Sequence, residues 1–79
     1  MRKIIFEWVV SYYKTHFGGV AEATTSLSEL TESQISELVT ALNEEYKVQL
    51  RTSDIIANIE KFGDVSVADL SAIVFAKCI

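Results

Sequence analysis

A small all-α bundle of four helices is the fold this sequence predicts, and three observations predict it. Proline is absent and glycine occurs three times, which favours helices joined by short connections. Ile35, Leu38, Val39 and Leu42 recur at i, i+3, i+4 and i+7, the apolar stripe of an amphipathic helix. Two stretches have capping-box spacing, Thr31 with Gln34 and Ser66 with Asp69, and each should open a helix.

In chain order, Arg2 to Phe17 reads as the first helix, with Gly18 as its left-handed terminator. Ile5, Val9, Tyr12 or Tyr13, and His16 could share one face, but Phe6, Trp8 and Val10 make the segment apolar nearly all round. β-branched and aromatic residues also suit a strand, yet period-2 alternation is missing, so helix is preferred. The surplus apolar surface either buries a long loop or marks a partner site, and burial is the expectation for so small a core.

Gly18 to Leu30 reads as that loop. Thr24, Thr25, Ser26 and Ser28 compete with the backbone for hydrogen bonds, and Val20, Leu27 and Leu30 are spaced to pin the segment to the core. The second helix runs from Thr31 to Tyr46. Its apolar stripe faces inward, and its outer side carries Glu32, Glu37, Glu44 and Glu45 uninterrupted by a cation, with Ser33 in the first turn. Val48 and Leu50 then alternate inward. Thr52 or Ser53 should cap a third helix over roughly Asp54 to Phe62, with Ile55, Ile56 and Ile59 as its apolar face and Gly63 as its end. The last helix opens at Ser66 and continues to about Lys77, with Val67, Leu70, Ile73 and Val74 inward. No repeat or linker divides the chain, so residues 1–79 are expected to be one domain. Met1 opening directly into the first helix suggests a discrete protein.

Composition narrows the function. A chain of 79 residues buries only about 60% of the surface its unfolded form exposes, which leaves little volume for an enclosed substrate pocket. Its net charge of -4 opposes nucleic-acid binding and would draw in a basic partner protein. One cysteine, Cys78, and one histidine, His16, make neither an internal disulfide nor a credible metal set. The apolar run near the N-terminus is too short to span a bilayer and lacks an adjoining cleavage site, so a cytoplasmic, monomeric protein with no membrane association is expected. Catalysis by His16 with a serine or Cys78 has no fixing geometry behind it, and the expectation is that the protein is not an enzyme.

The order of these segments resembles the acyl and peptidyl carrier proteins over nearly the whole chain. Leu27-Ser28-Glu29-Leu30 looks like the ending of that family's long loop, and Glu37 to Tyr46 (ELVTALNEEY) is similar to its E-L-V-x-A-L-E-E-E-F run. Val48-Gln49-Leu50 and Ser66-Val67-Ala68-Asp69-Leu70 look like the segments that follow. The resemblance implies a helical carrier that holds an acyl, aminoacyl or polyketide intermediate through 4′-phosphopantetheine on a serine at the start of the second helix. The implied partners are a phosphopantetheinyl transferase and biosynthetic enzymes with basic docking patches.

The carrier serine of that family lies in a Gly-x-Asp-Ser-Leu motif, where this chain has Leu30-Thr31-Glu32-Ser33-Gln34-Ile35. Counting back from Glu37-Leu38 puts Glu32 on the serine position, and counting forward from Glu29-Leu30 puts Gln34 there. Ser33, the candidate attachment residue, fits if the helix start has shifted by one. The segment between the second and last helices is longer than the family's, which suggests an extended third helix. Glu32, Glu37, Glu44 and Glu45 are the candidate partner-binding residues: residues 15 to 46 hold six Glu and no Lys or Arg, a field that would steer the protein onto basic surfaces. The alternative is the same fold without the arm, an adaptor or regulatory module that binds through its acidic helix. Trp8 and Phe6 of the first helix could then extend that interface.

Overall fold

The computed structural model describes residues 2–78. Four α-helices follow one another: α1 Arg2–Phe17, α2 Glu32–Tyr46, α3 Thr52–Phe62 and α4 Val67–Cys78. Among the described residues there is no strand, only an isolated antiparallel bridge between Ser26 and Ser66. The all-α, four-helix fold expected from the sequence is the one observed.

The helix ends show why these segments stop and start where they do. Thr31 is the N-cap of α2. Its hydroxyl accepts from the Gln34 N–H at 3.2 Å, and the Gln34 amide oxygen accepts from the Thr31 N–H at 2.9 Å. Ser66 and Asp69 form the second capping box, both bonds at 3.1 Å. Gly18 at φ +75° and Gly63 at φ +83° turn the chain out of α1 and α3 through the left-handed region. The third helix differs from its sequence expectation. It begins at Thr52, so Arg51 is its N-cap and supplies no side-chain bond. It spans 11 residues, two more at its start than the expected Asp54 to Phe62.

The core collects one face of every helix. Ile5, Val9 and Tyr13 of α1 are buried with Ile35, Leu38, Val39 and Leu42 of α2, the whole predicted stripe. From α3 only Ile55 is fully sequestered, while Ile56 and Ile59 are half-buried. In α4 the inward set is Val67, Leu70, Ser71 and Val74, and Ile73 sits at the margin. Ser71 tolerates burial because its hydroxyl donates to the Val67 carbonyl at 2.9 Å. The principal packing partner of α1 is α4. Trp8 meets Tyr46 at the end of α2, while Tyr12 meets Glu37 nearer its start, so α1 and α2 run antiparallel.

The long loop is tied down rather than draped. Leu27 donates to the Val65 carbonyl at 2.9 Å, Val67 to Thr25 at 2.9 Å and Ala68 to Ala23 at 3.1 Å, which stitches the loop to the start of α4. A short 3-10 turn, Leu27–Glu29, breaks the loop, with Ser26 as its N-cap and in hydrogen-bond contact with Asp64. Leu27 and Leu30 are buried as expected. Val20 is not: it is 81% exposed, and Ala21 takes the inward place beside it. Past Gly18 the chain is not helical, and of these two adjacent side chains it is Ala21 that meets the core.

Candidate functional site

The second helix presents two hollows that meet at its first turn. The first is a shallow groove along its outer face, floored by Ser33, Ser36, Thr40 and Ala41 and flanked by Glu32, Glu37 and Glu44. Tyr12 of α1 forms the opposite wall. The second hollow lies between the start of α2 and α3, where Leu30, Ile35, Ile56 and Ile59 make an apolar crevice with Ser28, Glu32 and Glu60 at its edge. Glu32 borders both, so the first turn of α2 is the ridge between a polar groove and an apolar crevice.

Ser33 is the second residue of α2 and is exposed. Its surroundings follow from the capping box. Thr31 and Gln34 satisfy each other's N–H groups and Ile35 donates to the Thr31 carbonyl at 3.0 Å. That leaves the Glu32 and Ser33 N–H groups facing outward with the positive end of the helix dipole behind them. Such a turn can receive an anionic oxygen. With Thr31 as the cap, Glu32 holds the first helical position and Ser33 the second.

The acidic residues separate into two groups. Glu32, Glu37 and Glu44 share the groove with Ser33, whereas Glu45 is exposed outside the groove's lining, beside Tyr46. A helix advances about 100° per residue, so Glu44 and Glu45 cannot serve the same strip of surface. Glu37 is also anchored. It accepts the Tyr12 hydroxyl at 3.2 Å, and His16 Nδ1 lies 4.0 Å from the same carboxylate oxygen.

Tyr13, not Tyr12, continues the buried Ile5–Val9 face, and His16, expected on that face, is exposed and belongs with Tyr12 to a separate aromatic ladder. Trp8 stacks on Tyr12 with centroids 5.2 Å apart, and Tyr12 stacks on His16 at 4.1 Å. Their four-residue spacing puts all three on one strip of α1, a signal present in the sequence but hidden among the other aromatic residues of that helix. The surplus apolar surface of α1 is thus divided: Phe6, Trp8 and Val10 pack at the core margin, and Ile4 remains 61% exposed.

Burial, followed by the hydrogen bond that the Tyr12 hydroxyl donates to Glu37 and by that residue's charge, raises the Tyr12 phenol above its ordinary value of 10.0. Tyr46 is raised as well, by burial first and then by Glu45 and Cys78. A phenol whose folded value is raised stabilises the fold fully below the unfolded value. That contribution fades as pH climbs through the folded value. Stability is therefore expected to decline as pH rises above the ordinary phenol value, and Tyr12→Phe should make that decline shallower in a circular-dichroism pH titration. An unchanged slope would mean that Tyr12 is not linked to folding.

Among the described residues no group of three His, Cys, Asp or Glu side chains is placed to hold a metal ion, and no helix is long and apolar enough to cross a membrane. Cys78 is a free, half-buried thiol in the last turn of α4. Comparison with models of protein families, with curated proteins and with solved structures finds no match, so the functional reading rests on this groove, this crevice and the turn between them.

Proposed function

We propose that the chain is a carrier-type domain, which tethers an acyl, aminoacyl or polyketide intermediate through 4′-phosphopantetheine on Ser33 and presents it to partner enzymes. The observation that carries this reading is an exposed hydroxyl in a capped first turn whose two outward N–H groups suit a phosphodiester. The surroundings support it. An arm leaving Ser33 has the polar groove on one side and, across Glu32, the apolar crevice of Ile56 and Ile59 on the other. The thiol belongs to the arm, so the protein itself needs no catalytic residue. Glu32, Glu37 and Glu44 would meet the basic docking patches of a transferase and of the biosynthetic enzymes in fast, salt-sensitive encounters. Glu45, turned from the groove, would act through the general field.

One observation favours a second reading, in which the same fold is an unmodified adaptor that binds a basic protein through its acidic helix. Glu32, not Ser33, holds the first helical position, in the register that the Glu37-Leu38 spacing assigns to the carrier serine.

The two readings separate in one experiment. Intact mass is measured after incubation with coenzyme A and a broad-specificity phosphopantetheinyl transferase. The expected result is the gain of one phosphopantetheine, lost in Ser33→Ala. A gain that survives in Ser33→Ala would keep the carrier and move the site, with Ser36, Thr31 and Ser28 next in line. No gain with several transferases would sink the carrier reading in favour of the adaptor.

A further inference from the structure

A hollow of about 450 Å³ lies between the end of α3 and the start of α4, with Val65, Ala72 and Ile73 as its apolar wall. Phe62 lines it too, yet this residue is 69% exposed. Asp64 and Asp69 bring charge to the same hollow, and hydrogen bonds fix where their carboxylates sit. Ser26 and Ser66 pair across the isolated bridge, flanked by the bonds from Leu27 to Val65 and from Val67 to Thr25. That pattern makes them the close, non-hydrogen-bonded kind of antiparallel pair, whose Cα atoms lie about 4.5 Å apart. Asp64 accepts from the Ser26 hydroxyl, and Asp69 accepts from the Ser66 N–H at 3.1 Å. Two carboxylates are thus tied to the two residues of one bridge, beside an apolar wall.

The counterpart of this hollow stands on its own rim. Lys61 Nζ lies over the Phe62 ring, 5.3 Å from its centroid, so an apolar ring and a cation project as one unit. Among the described residues, Lys61 has no carboxylate within salt-bridge distance, and neither Asp64 nor Asp69 has a cation. Each charge is therefore open to a partner of opposite sign. Knob and hollow adjoin, because Phe62 belongs to both. A surface that holds both halves of one contact is self-complementary, and a two-fold axis through it makes that contact twice. An exposed aromatic ring seated in an apolar hollow is also the kind of anchor that carries binding energy at protein interfaces.

We propose that the end of α3 and the start of α4 form a two-fold interface with a second copy of this chain. Phe62 of each copy enters the other's hollow against Ala72 and Ile73, and Lys61 meets the other's Asp64 and Asp69. The net charge of -4 on each copy opposes association at long range, so the dimer is weak, with a Kd on the order of 100 µM. The monomer expected from the sequence then holds only in dilute solution. The interface lies away from the α2 groove, and it stands or falls independently of any arm on Ser33.

The test is sedimentation equilibrium of the full chain between about 10 µM and about 1 mM, where mostly monomer should give way to mostly dimer. Phe62→Ser should weaken association at least about tenfold and leave the melting temperature of the monomer in place, because the residue is exposed. Lys61→Asp and Asp64→Lys should each be monomeric at about 1 mM, since each sets like charges against each other across the axis. Mixed in equal amounts, these two variants should sediment as a dimer, because both opposite-charge pairs are then restored with their signs exchanged. A variant that had only lost its fold could not be rescued in this way. A parent chain that stays monomeric at about 1 mM would overturn the proposal, as would a dimer indifferent to Phe62→Ser or a mixture that stays monomeric. So would a monomeric chain whose Ala72 and Ile73 amides shift saturably with the capped dipeptide acetyl-Lys-Phe-amide, which would assign the surface to a different, basic protein.

Discussion

Replacing Leu42 by alanine is expected to lower the melting temperature by on the order of 15 °C and to shift the urea midpoint accordingly. Leu42 is completely buried at the C-terminal end of the α2 stripe, with Leu38 one turn before it at 1% exposure. A buried Leu→Ala change costs roughly 2–5 kcal/mol, partly as lost transfer energy and partly as the cavity left behind. A chain of this length has only about 4–12 kcal/mol in total, so one side chain removes a large share of it. Helix propensity cannot soften the loss, because leucine and alanine are both good helix formers. A melting point within a few degrees of the parent would show that the stripe is not packed as described. Leu42→Met, which conserves volume, should lie close to the parent in the same measurement.

The second large effect is expected at a polar residue. Asn43 braces the connection between α2 and α3: its amide oxygen accepts from the Leu50 N–H at 2.8 Å, and its amide nitrogen donates to the Leu50 carbonyl at 3.0 Å. The two bonds mimic one rung of a β-ladder and hold Leu50, which is 8% exposed, against the core. Lys47 begins this segment in the left-handed region at φ 55°, so the turn needs an external restraint. Asn43→Ala strands both backbone groups of Leu50 in a half-buried place. It should cost about 2 kcal/mol, despite the better helix propensity of alanine. Hydrogen exchange gives the specific readout. The Leu50 amide should lose protection well beyond what the global change in stability explains, while amides in the middle of α1 follow the global change alone. If Leu50 stays protected, the brace is not needed to seat the segment.

These two residues differ in how far the sequence reveals them. Leu42 is legible because helical periodicity is a local property: four apolar residues at the right spacing have one way to be buried together. The capping boxes are legible for the same reason, since Thr31 with Gln34 and Ser66 with Asp69 each close within a single turn. Asn43 is not, because its partner lies seven residues away across a turn whose shape no pattern encodes. The groove shows the same division. Ser33, Glu37 and Glu44 share a helix face and could be grouped from their spacing, but its other wall comes from α1. Tyr12 reaches Glu37 only because α1 and α2 run antiparallel at close range, a contact across 25 positions.

By itself, then, the sequence determined four helices, the capping boxes that open α2 and α4, the inward stripe of α2 and the acidic character of its outer face, all consequences of interactions within a few residues. Tertiary structure alone decided what stands opposite that face, that Ala21 rather than Val20 faces inward, and that Ser71 takes a core place beside α1. It also brought the first turn of α1 against Ala23 of the loop and Ala68 of α4, leaving an apolar cleft between them. Such outcomes depend on which surfaces meet. Close packing selects among them by volume and by polar satisfaction summed over distant parts of the chain, and no local pattern carries that sum.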